Sequence, residues 1–212
     1  MLLYGGIMKL SHDLVVLDLE TVGTHDAITE CAAVILDRHT LEIKDTFSQL
    51  VNPEKPIEEN IIKITNITNE MVATAPKFPE MIKNFEEWVI KNSKKLKNVR
   101  LCAFGIYFDS PVLRRCYKNY GLDYPFSGSW FDVKSFVFMW AALSGRKTER
   151  FQQVGGCVEE MKLTRPAGEY HRALVDAQAE AAILQKVFRD LSEGHFLLGE
   201  HGQPGKYIKI GV

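Results

Sequence analysis

The chain has 212 residues, of which 46% are hydrophobic and 25% are charged, and its net charge of −1 and length predict a globular protein with one full core. No apolar run approaches the roughly 20 residues that span a bilayer, and the opening residues lack the pattern of a signal peptide, so we predict a cytoplasmic location. The balanced charge argues against a protein that coats duplex nucleic acid, but it is compatible with one that grips a few nucleotides at a chain end.

The first half of the chain predicts three strands and two short helices. Asp13–Glu20 reads D-L-V-V-L-D-L-E, an apolar run without glycine or proline that is typical of a buried strand. Ile28–Leu36 and Leu41–Val51 predict two further strands, and the short turn D-R-H-T between them favours an antiparallel meander. Prolines then end the sheet run, because proline cannot donate to a β-ladder. Short helices are predicted over Ile57–Lys63 and Thr68–Ala73.

The rest of the chain is predicted to form five helices and one strand. Pro111 suits the first turn of its predicted helix, where a missing N–H is tolerated. Three strands followed by mixed strand and helix predict an α/β fold, a mixed sheet flanked by helices. The predicted helices are Pro79–Asn92, Ser110–Tyr120, Val133–Leu143, Glu149–Met161 and Ala173–Leu191, and the predicted strand is Val99–Phe104.

The cysteines and the C-terminal residues bear on compartment and assembly. The four cysteines are widely spaced, and mostly apolar surroundings favour buried thiols in a reducing compartment over disulfides or metal ligands. We predict one domain over residues 1–192 and a glycine-rich tail over residues 193–212. The apolar residues of the tail either form a homodimer contact or pack back onto the domain. They are Phe196, Leu197, Leu198, Tyr207 and Ile208.

Four acidic residues and one histidine fall into three clusters. Asp18 and Glu20 end the first strand as D-L-E-T, Asp109 lies in F-G-I-Y-F-D-S, and His171 and Asp176 lie in H-R-A-L-V-D. Residues two apart in a strand project from one face, so Asp18 and Glu20 point the same way. Grouped carboxylates repel one another unless a cation neutralises them. Oxygen ligands without partner cysteines predict Mg²⁺ or Mn²⁺.

These motifs, in this order, resemble the three motifs of the DEDDh 3′–5′ exonucleases, which include proofreading subunits, ribonuclease T and oligoribonuclease. The resemblance extends to F-S-Q-L-V-N-P at Phe47–Pro53, to Ile64–Pro76, and almost throughout H-R-A-L-V-D-A-Q-A at His171–Ala179. It implies a ribonuclease-H-like mixed sheet with three antiparallel strands plus parallel strands. It also implies a partner, the single-stranded 3′ end of DNA or RNA, from which nucleoside 5′-monophosphates are released.

The resemblance further implies how the clustered residues act. Two Mg²⁺ or Mn²⁺ ions would flank the scissile phosphate, and His171 would take the proton from the attacking water. On a continuous helix His171 and Asp176 would lie about 140° apart, so we place His171 on the loop before the helix and Asp176 within it. The predicted metal ligands are Asp18, Glu20, Asp109 and Asp176.

Five further residues are predicted to contact the substrate. The resemblance implies that Thr21 and Val22, which follow the first motif, lie against the terminal nucleotide. Tyr107 and Phe108 precede the middle aspartate and either stack on a base or pack in the core. Arg172, beside the histidine, is the predicted phosphate contact.

The sequence leaves the nucleic-acid class and two rival functions open. Relatives of proofreading subunits carry His-Asn before the middle aspartate, where this chain has Phe104 and Gly105. For Phe104, packing in the core is favoured over stacking on a base. W-F-D-V-K at Trp130–Lys134 resembles the ribonuclease branch instead, so both DNA and RNA remain candidate substrates. A binding module with this fold and little catalysis is disfavoured by the clustered carboxylates. An endonuclease is disfavoured by the histidine motif.

Overall fold

The structure is a computed structural model that describes residues 10–23, 27–168 and 171–193. Over these residues the chain forms five strands, seven α-helices and 3₁₀ turns at Leu96–Asn98 and Thr148–Phe151. The strands are β1 (Asp13–Thr21), β2 (Ile28–Leu36), β3 (Ile43–Leu50), β4 (Val99–Ala103) and β5 (Phe131–Asp132). The helices are α1 (Glu59–Thr65), α2 (Asn69–Ala73), α3 (Phe78–Ser93), α4 (Ile106–Asn119), α5 (Val133–Leu143), α6 (Val154–Glu160) and α7 (Ala173–Glu193).

The strands form one mixed sheet in the order β3-β2-β1-β4-β5. β1, β2 and β3 pair antiparallel, whereas β4 pairs parallel with β1 and β5 pairs parallel with β4. The predicted α/β sheet with three antiparallel strands plus parallel strands is therefore confirmed. β5 was not predicted, because two residues are too few to display a period of two.

The alternation of side chains along β1 decides which face the first motif points to. Its odd-numbered apolar residues pack with α3 and α4, and its even-numbered ones pack with α5, α6 and α7. Asp18 and Glu20 continue the even row, so their carboxylates lie on the α7 side of the sheet. The first row is Val15, Leu17 and Leu19, and the second is Leu14 and Val16.

Helix α7 packs directly on β1 and β2. Four alanines of α7 are fully buried, and such small side chains let a helix pack closely against its neighbours. The predicted helix is confirmed, although it extends two residues further, to Glu193. These alanines are Ala173, Ala177, Ala179 and Ala181.

The prediction for the start of α4 was wrong. The helix begins at Ile106 rather than Ser110, so Asp109 lies inside its first turn and Pro111 lies within the helix. The residue before the helix is Gly105, whose φ of +91° is in the left-handed region that glycine favours. Because no polar capping side chain marks this start, the usual sequence signal is missing.

The prediction of one helix over Glu149–Met161 was also wrong. The segment is a 3₁₀ turn followed by α6, with Gln153 extended between them. A Cβ at Gly156 would lie 2.7 Å from the carbonyl oxygen of Arg150, so the helix crosses the turn closely at a glycine. The other predicted elements differ from the observed bounds by at most two residues.

Cysteines, apolar helices and the tail complete the comparison with the sequence. All four cysteines are buried and free, as predicted. Across the described ranges, no helix has both the length and the apolar character needed to cross a bilayer. The predicted tail lies outside the described residues from residue 194 onward, and the domain boundary stays a prediction. The four thiols are those of Cys31, Cys102, Cys116 and Cys157.

Candidate active site

A cavity of about 550 Å³ opens where the C-terminal end of β1 meets the starts of α4 and α7. The backbone N–H of Leu19 donates to a carboxylate oxygen of Asp109 at 3.1 Å, which ties α4 to β1. All five residues predicted to be catalytic line this cavity, so the structure brings together side chains from three distant parts of the chain. They are Asp18, Glu20, Asp109, His171 and Asp176.

Burial and mutual repulsion perturb the carboxylates of this cavity. Burial, followed by the charges of Asp109 and Glu180, raises the pKa of Asp18 well above its usual value. Burial and the neighbouring Asp176 raise the pKa of Glu20 to about 8. Burial also raises the pKa of Asp109 to about 7, although the hydrogen bond from Leu19 opposes this. Several acids that resist ionisation at one point form a site that favours a cation.

The third motif has the predicted arrangement. His171 precedes α7 and is exposed, and Asp176 lies in the first turn of the helix. The backbone N–H of His171 donates to Asp176 Oδ2 at 2.7 Å and holds the histidine at a left-handed φ of +63°. A left-handed φ is uncommon for a residue other than glycine, and such conformations cluster at functional sites.

The donor set fits a divalent cation. One ligand atom from each of Glu20, His171 and Asp176 lies within 4.8 Å of the others, close enough to share an ion. Half-buried Asp18 and buried Asp109 add two carboxylates to the same cavity. Carboxylate oxygens joined by one imidazole suit a hard or borderline divalent ion.

Glu180 is a fifth carboxylate of this cavity that the sequence analysis missed. It is buried one turn after Asp176 on α7 and accepts a hydrogen bond from the backbone N–H of Phe104 at 3.0 Å. Burial and the charge of Asp109 raise its pKa well above the usual value. The spacing of four residues from Asp176 along a helix was the available signal, since it puts both carboxylates on one face.

Glu30 is a second missed carboxylate, and its partner is Arg172. It lies opposite Glu20 in the register of β1 and β2 and is 2% exposed. The Arg172 guanidinium donates to both of its carboxylate oxygens, at 3.1 and 2.9 Å, and the N–H of Ala173 donates at 3.0 Å. Arg172 is therefore engaged by the protein itself and is not among the cavity-lining residues. Its contact with substrate phosphate stays a prediction.

Two predicted stacking residues lie at the cavity. Tyr107 is 70% exposed and lines the cavity together with half-buried Phe108. A Cβ at Gly105 would lie 2.8 Å from a ring carbon of Tyr107, so the glycine admits this ring beside the backbone. Phe104 is half-buried: it packs against the core on the α7 side and also lines the cavity.

Thr21 and Val22 are not among the lining residues. The Thr21 hydroxyl donates to the carbonyl of Gly23 at 2.7 Å. The Val22 side chain packs in a small buried cluster with Ile57, Ile67 and Val72. Their contact with a terminal nucleotide stays a prediction.

Lys134 brings positive charge to the cavity, and the sequence analysis did not select it. It is the single lysine or arginine among the described residues that line the cavity, and its ammonium lies 5.8 Å from the centre of the Phe104 ring. The chain positions it through Asp132, which caps α5 by accepting from the Lys134 N–H and also accepts from the N–H of Gly105. The start of α4 and the start of α5 are thus joined by one carboxylate.

Known proteins share this sequence pattern. The profile of the RNase_T family, described as exonuclease, matches residues 15–184. DNA polymerase III of the PolC type from Bacillus cereus is 28% identical over 185 residues, covering 86% of this chain and 12% of that protein. The Staphylococcus aureus protein of the same name is 29% identical over 182 residues, covering 84% and 12%. This chain therefore spans only 12% of the length of each of these relatives.

Solved structures share the fold. The nuclease domain of 3′hExo, a DEDDh family member bound to rAMP, superposes with a TM-score of 0.74 at 24% identity, covering 87% of this chain and 95% of that one. Exonuclease I of E. coli in complex with a dT13 oligonucleotide gives 0.71 at 16% identity, covering 88% and 43%. At these identities the likeness shows the fold alone. Because the family profile spans most of the chain, this protein belongs to the RNase_T exonuclease family.

Proposed function

We propose that this protein is a 3′–5′ exonuclease that depends on Mg²⁺ or Mn²⁺ and removes nucleoside 5′-monophosphates from single-stranded 3′ ends. The observation that carries the proposal is the meeting of all five predicted catalytic side chains at one cavity. Membership of the exonuclease family supports the reaction class. The bound rAMP and dT13 of the two structural neighbours support a nucleotide at a strand end as the substrate.

The carboxylates would hold the cations and thereby set the geometry of the cleavage. Two divalent ions would neutralise the scissile phosphate and favour ionisation of the attacking water. Asp18 and Glu20 are fixed relative to each other by the strand, and Asp109 is oriented by the N–H of Leu19. These constraints keep the ligands in place before substrate arrives, which lowers the reorganisation that catalysis requires.

His171 would accept the proton of the attacking water. It lines the cavity, its imidazole is exposed, and its backbone is anchored to Asp176 on the metal side of the site. An imidazole within reach of the water is the usual general base for this role. A ring nitrogen of His171 lies within 4.8 Å of carboxylate oxygens of Glu20 and Asp176, so the imidazole would stand beside the ions and close to a water bound to them.

Tyr107 would hold the terminal base at the mouth of the cavity. Its ring is exposed next to the carboxylates, and stacking on a base contributes about 1–3 kcal/mol without regard to sequence. Discrimination between RNA and DNA rests on contacts to the 2′-hydroxyl, so both substrates are retained in the proposal.

Labelled oligonucleotides test the proposal. Matched RNA and DNA strands, labelled at either end, are incubated with Mn²⁺, with and without chelator, alongside the Asp18→Asn variant. We expect the 3′ label to leave first as a mononucleotide and the 5′-labelled strand to shorten stepwise, only with Mn²⁺ and only with the unmodified protein. Intact strands, or cleavage of a circular substrate, would rule the proposal out.

A further inference from the structure

A second cavity of about 370 Å³ lies beyond the C-terminal end of α5, on the α5–α7 side of the sheet. It is separate from the carboxylate cavity, and three of its four charged lining residues are basic. The function proposed above does not use it. It is lined by Gly145, Arg146, Lys147, Arg150, Phe151 and Glu160.

The lining carries an excess of positive charge. Arg150 pairs with Glu160 at 3.0 Å, and this is the one carboxylate among the lining residues. Within the described ranges, neither Arg146 nor Lys147 has a carboxylate partner at ion-pair distance. Two cations are therefore left to attract an anion, in a chain whose net charge is −1.

Arg146 is held in place by the fold. Its guanidinium lies 5.2 Å from the centre of the Trp140 ring, and its backbone N–H closes α5 by donating to Ala141 at 2.9 Å. Gly145, at a φ of +70°, makes the turn that brings it there. Arg146 Nε is buried, and no hydrogen-bond acceptor for it lies among the described residues. A buried donor without a partner is costly, and guanidinium groups match phosphate oxygens well.

The basic cavity adjoins the carboxylate cavity through one short segment. Arg150 lines the first, and Gln152 and Gln153 line the second. An extended chain covers at most about 3.6 Å per residue, so the Cα atoms of Arg150 and Gln153 lie within roughly 11 Å of each other. The turn Thr148–Phe151 packs against α6, closely enough at Gly156 that a Cβ there would lie 2.7 Å from the Arg150 carbonyl oxygen. A strand of a few nucleotides would reach from one cavity to the other.

We propose that the basic cavity binds a backbone phosphate of the strand whose 3′ end lies in the carboxylate cavity. The inference rests on the proposed function for the position of that end. Arg146 and Lys147 contact the phosphate, and they offset the repulsion between the strand and the acidic cavity. A nucleic-acid strand and a free nucleotide would both present a phosphate group to this cavity, so the free nucleotide is the competing ligand.

Binding without hydrolysis tests this inference. The affinities of a labelled dinucleotide, of AMP and of a single strand of about twelve nucleotides are measured in chelator over a range of salt concentrations. The double variant Arg146→Gln/Lys147→Gln is compared with Lys83→Gln/Lys118→Gln, which removes the same charge from exposed positions on α3 and α4. Because loss of the Trp140 contact can weaken the fold, Lys147→Glu at an exposed position is measured as well.

We expect the double variant to bind the long strand about tenfold more weakly. The salt slope, meaning the slope of log affinity against log salt concentration, should become shallower by about 0.7 for each lost phosphate contact. Lys147→Glu should also weaken binding of the long strand and reduce the salt slope. The control pair should change the affinity for the long strand by less than about twofold, and the double variant should change the affinity for the dinucleotide by less than about twofold. An unchanged slope and affinity for the long strand would overturn the inference, and an equal loss for AMP would assign the cavity to free nucleotides.

The two proposals fail separately. Strand cleavage by a double variant that binds the long strand normally contradicts only the phosphate cavity. Length-dependent binding that the double variant weakens, in a protein that cleaves nothing, contradicts only the exonuclease. Absence of binding to every strand by the unmodified protein contradicts the phosphate cavity, and absence of cleavage in Mn²⁺ as well contradicts both.

Discussion

Arg172 and Glu30 form a two-pronged ion pair that joins the residue before α7 to the second strand. The carboxylate is 2% exposed and the guanidinium side chain 36% exposed. Because Glu30 lies opposite Glu20, the pair neutralises one of two facing acids and leaves the other to the carboxylate cavity. It also anchors the turn that carries His171. An arginine next to the third motif thus has a structural partner that explains its position.

Loss of that pair should destabilise the protein. Arg172→Gln leaves a buried carboxylate unpaired, and we expect a loss of about 2–3 kcal/mol in the free energy of unfolding, below the usual 3–5 because the arginine is partly exposed. Glu30→Gln should have a smaller effect, since its amide oxygen still accepts from Ala173. Urea unfolding measures both. Lys83→Gln, which breaks only an exposed pair with Glu87, is the control. Equal stabilities of Arg172→Gln and this control would contradict the expectation.

The stability of the protein in chelator should fall as the pH rises. The folded state keeps protons on Glu20 up to a pKa of about 8 and on Asp109 up to about 7, whereas the unfolded chain loses them near pH 4 to 5. Between those values the unfolded state binds fewer protons, so each pH unit lowers the free energy of unfolding by on the order of 1 kcal/mol per such group. The melting temperature should fall by a few degrees for each pH unit.

Thermal melts from pH 5 to 8 measure this fall. Added Mn²⁺ should remove most of it, because cations bind the ionised carboxylates and their affinity rises with pH. A melting temperature that stays level or rises with pH in chelator would contradict the pKa shifts.

Substitutions in the first motif and at the histidine should affect metal binding and proton transfer separately. Asp18→Asn removes one of several repelling carboxylates, so it should melt higher than the unmodified protein in chelator and gain little from Mn²⁺. His171→Ala should keep most of the stabilisation by Mn²⁺ and still lose at least about a hundredfold in cleavage rate. Melting curves and strand cleavage, measured on the same preparations, test the pair. Equal responses of both variants to Mn²⁺ would contradict the assigned roles.

Glu180 should act through the backbone it holds. Glu180→Gln keeps an oxygen for the N–H of Phe104 and removes a buried charge, so we expect a melting temperature in chelator at or above that of the unmodified protein. Glu180→Ala leaves that N–H without its acceptor and should lower the free energy of unfolding by about 1–3 kcal/mol. The difference between the two variants isolates the hydrogen bond. A glutamine variant as unstable as the alanine variant would contradict it.

Local pattern was enough to predict most of the single elements and the face on which the first motif lies, whereas the meeting of three motifs at one cavity was implied by the family resemblance. The period of two in β1 placed Asp18 and Glu20 on one face, and the structure puts that face against α7. The helical spacing after His171 placed it on a loop and Asp176 within the helix, and the structure puts Asp176 in the first turn of that helix. These features depend on neighbours within a few residues, which the sequence displays directly.

The remaining features depend on contacts between distant segments. The opposition of Glu30 to Glu20 follows from strand register, which no single strand reveals. The break before α6 follows from the approach of Gly156 to a carbonyl that belongs to a separate turn. The basic cavity depends in the same way on Arg146 folding back over Trp140.

Titration calorimetry with Mn²⁺ tests the central claim most directly, namely that side chains from three parts of the chain jointly hold a pair of divalent ions. We expect the unmodified protein to bind two ions, with release of protons from the buried carboxylates. Asp18→Asn and Asp109→Asn should each lose at least one of them, whereas Asp123→Asn, at an exposed position after α4, should bind like the unmodified protein. Absence of binding, or binding that persists unchanged in Asp18→Asn, would contradict the claim.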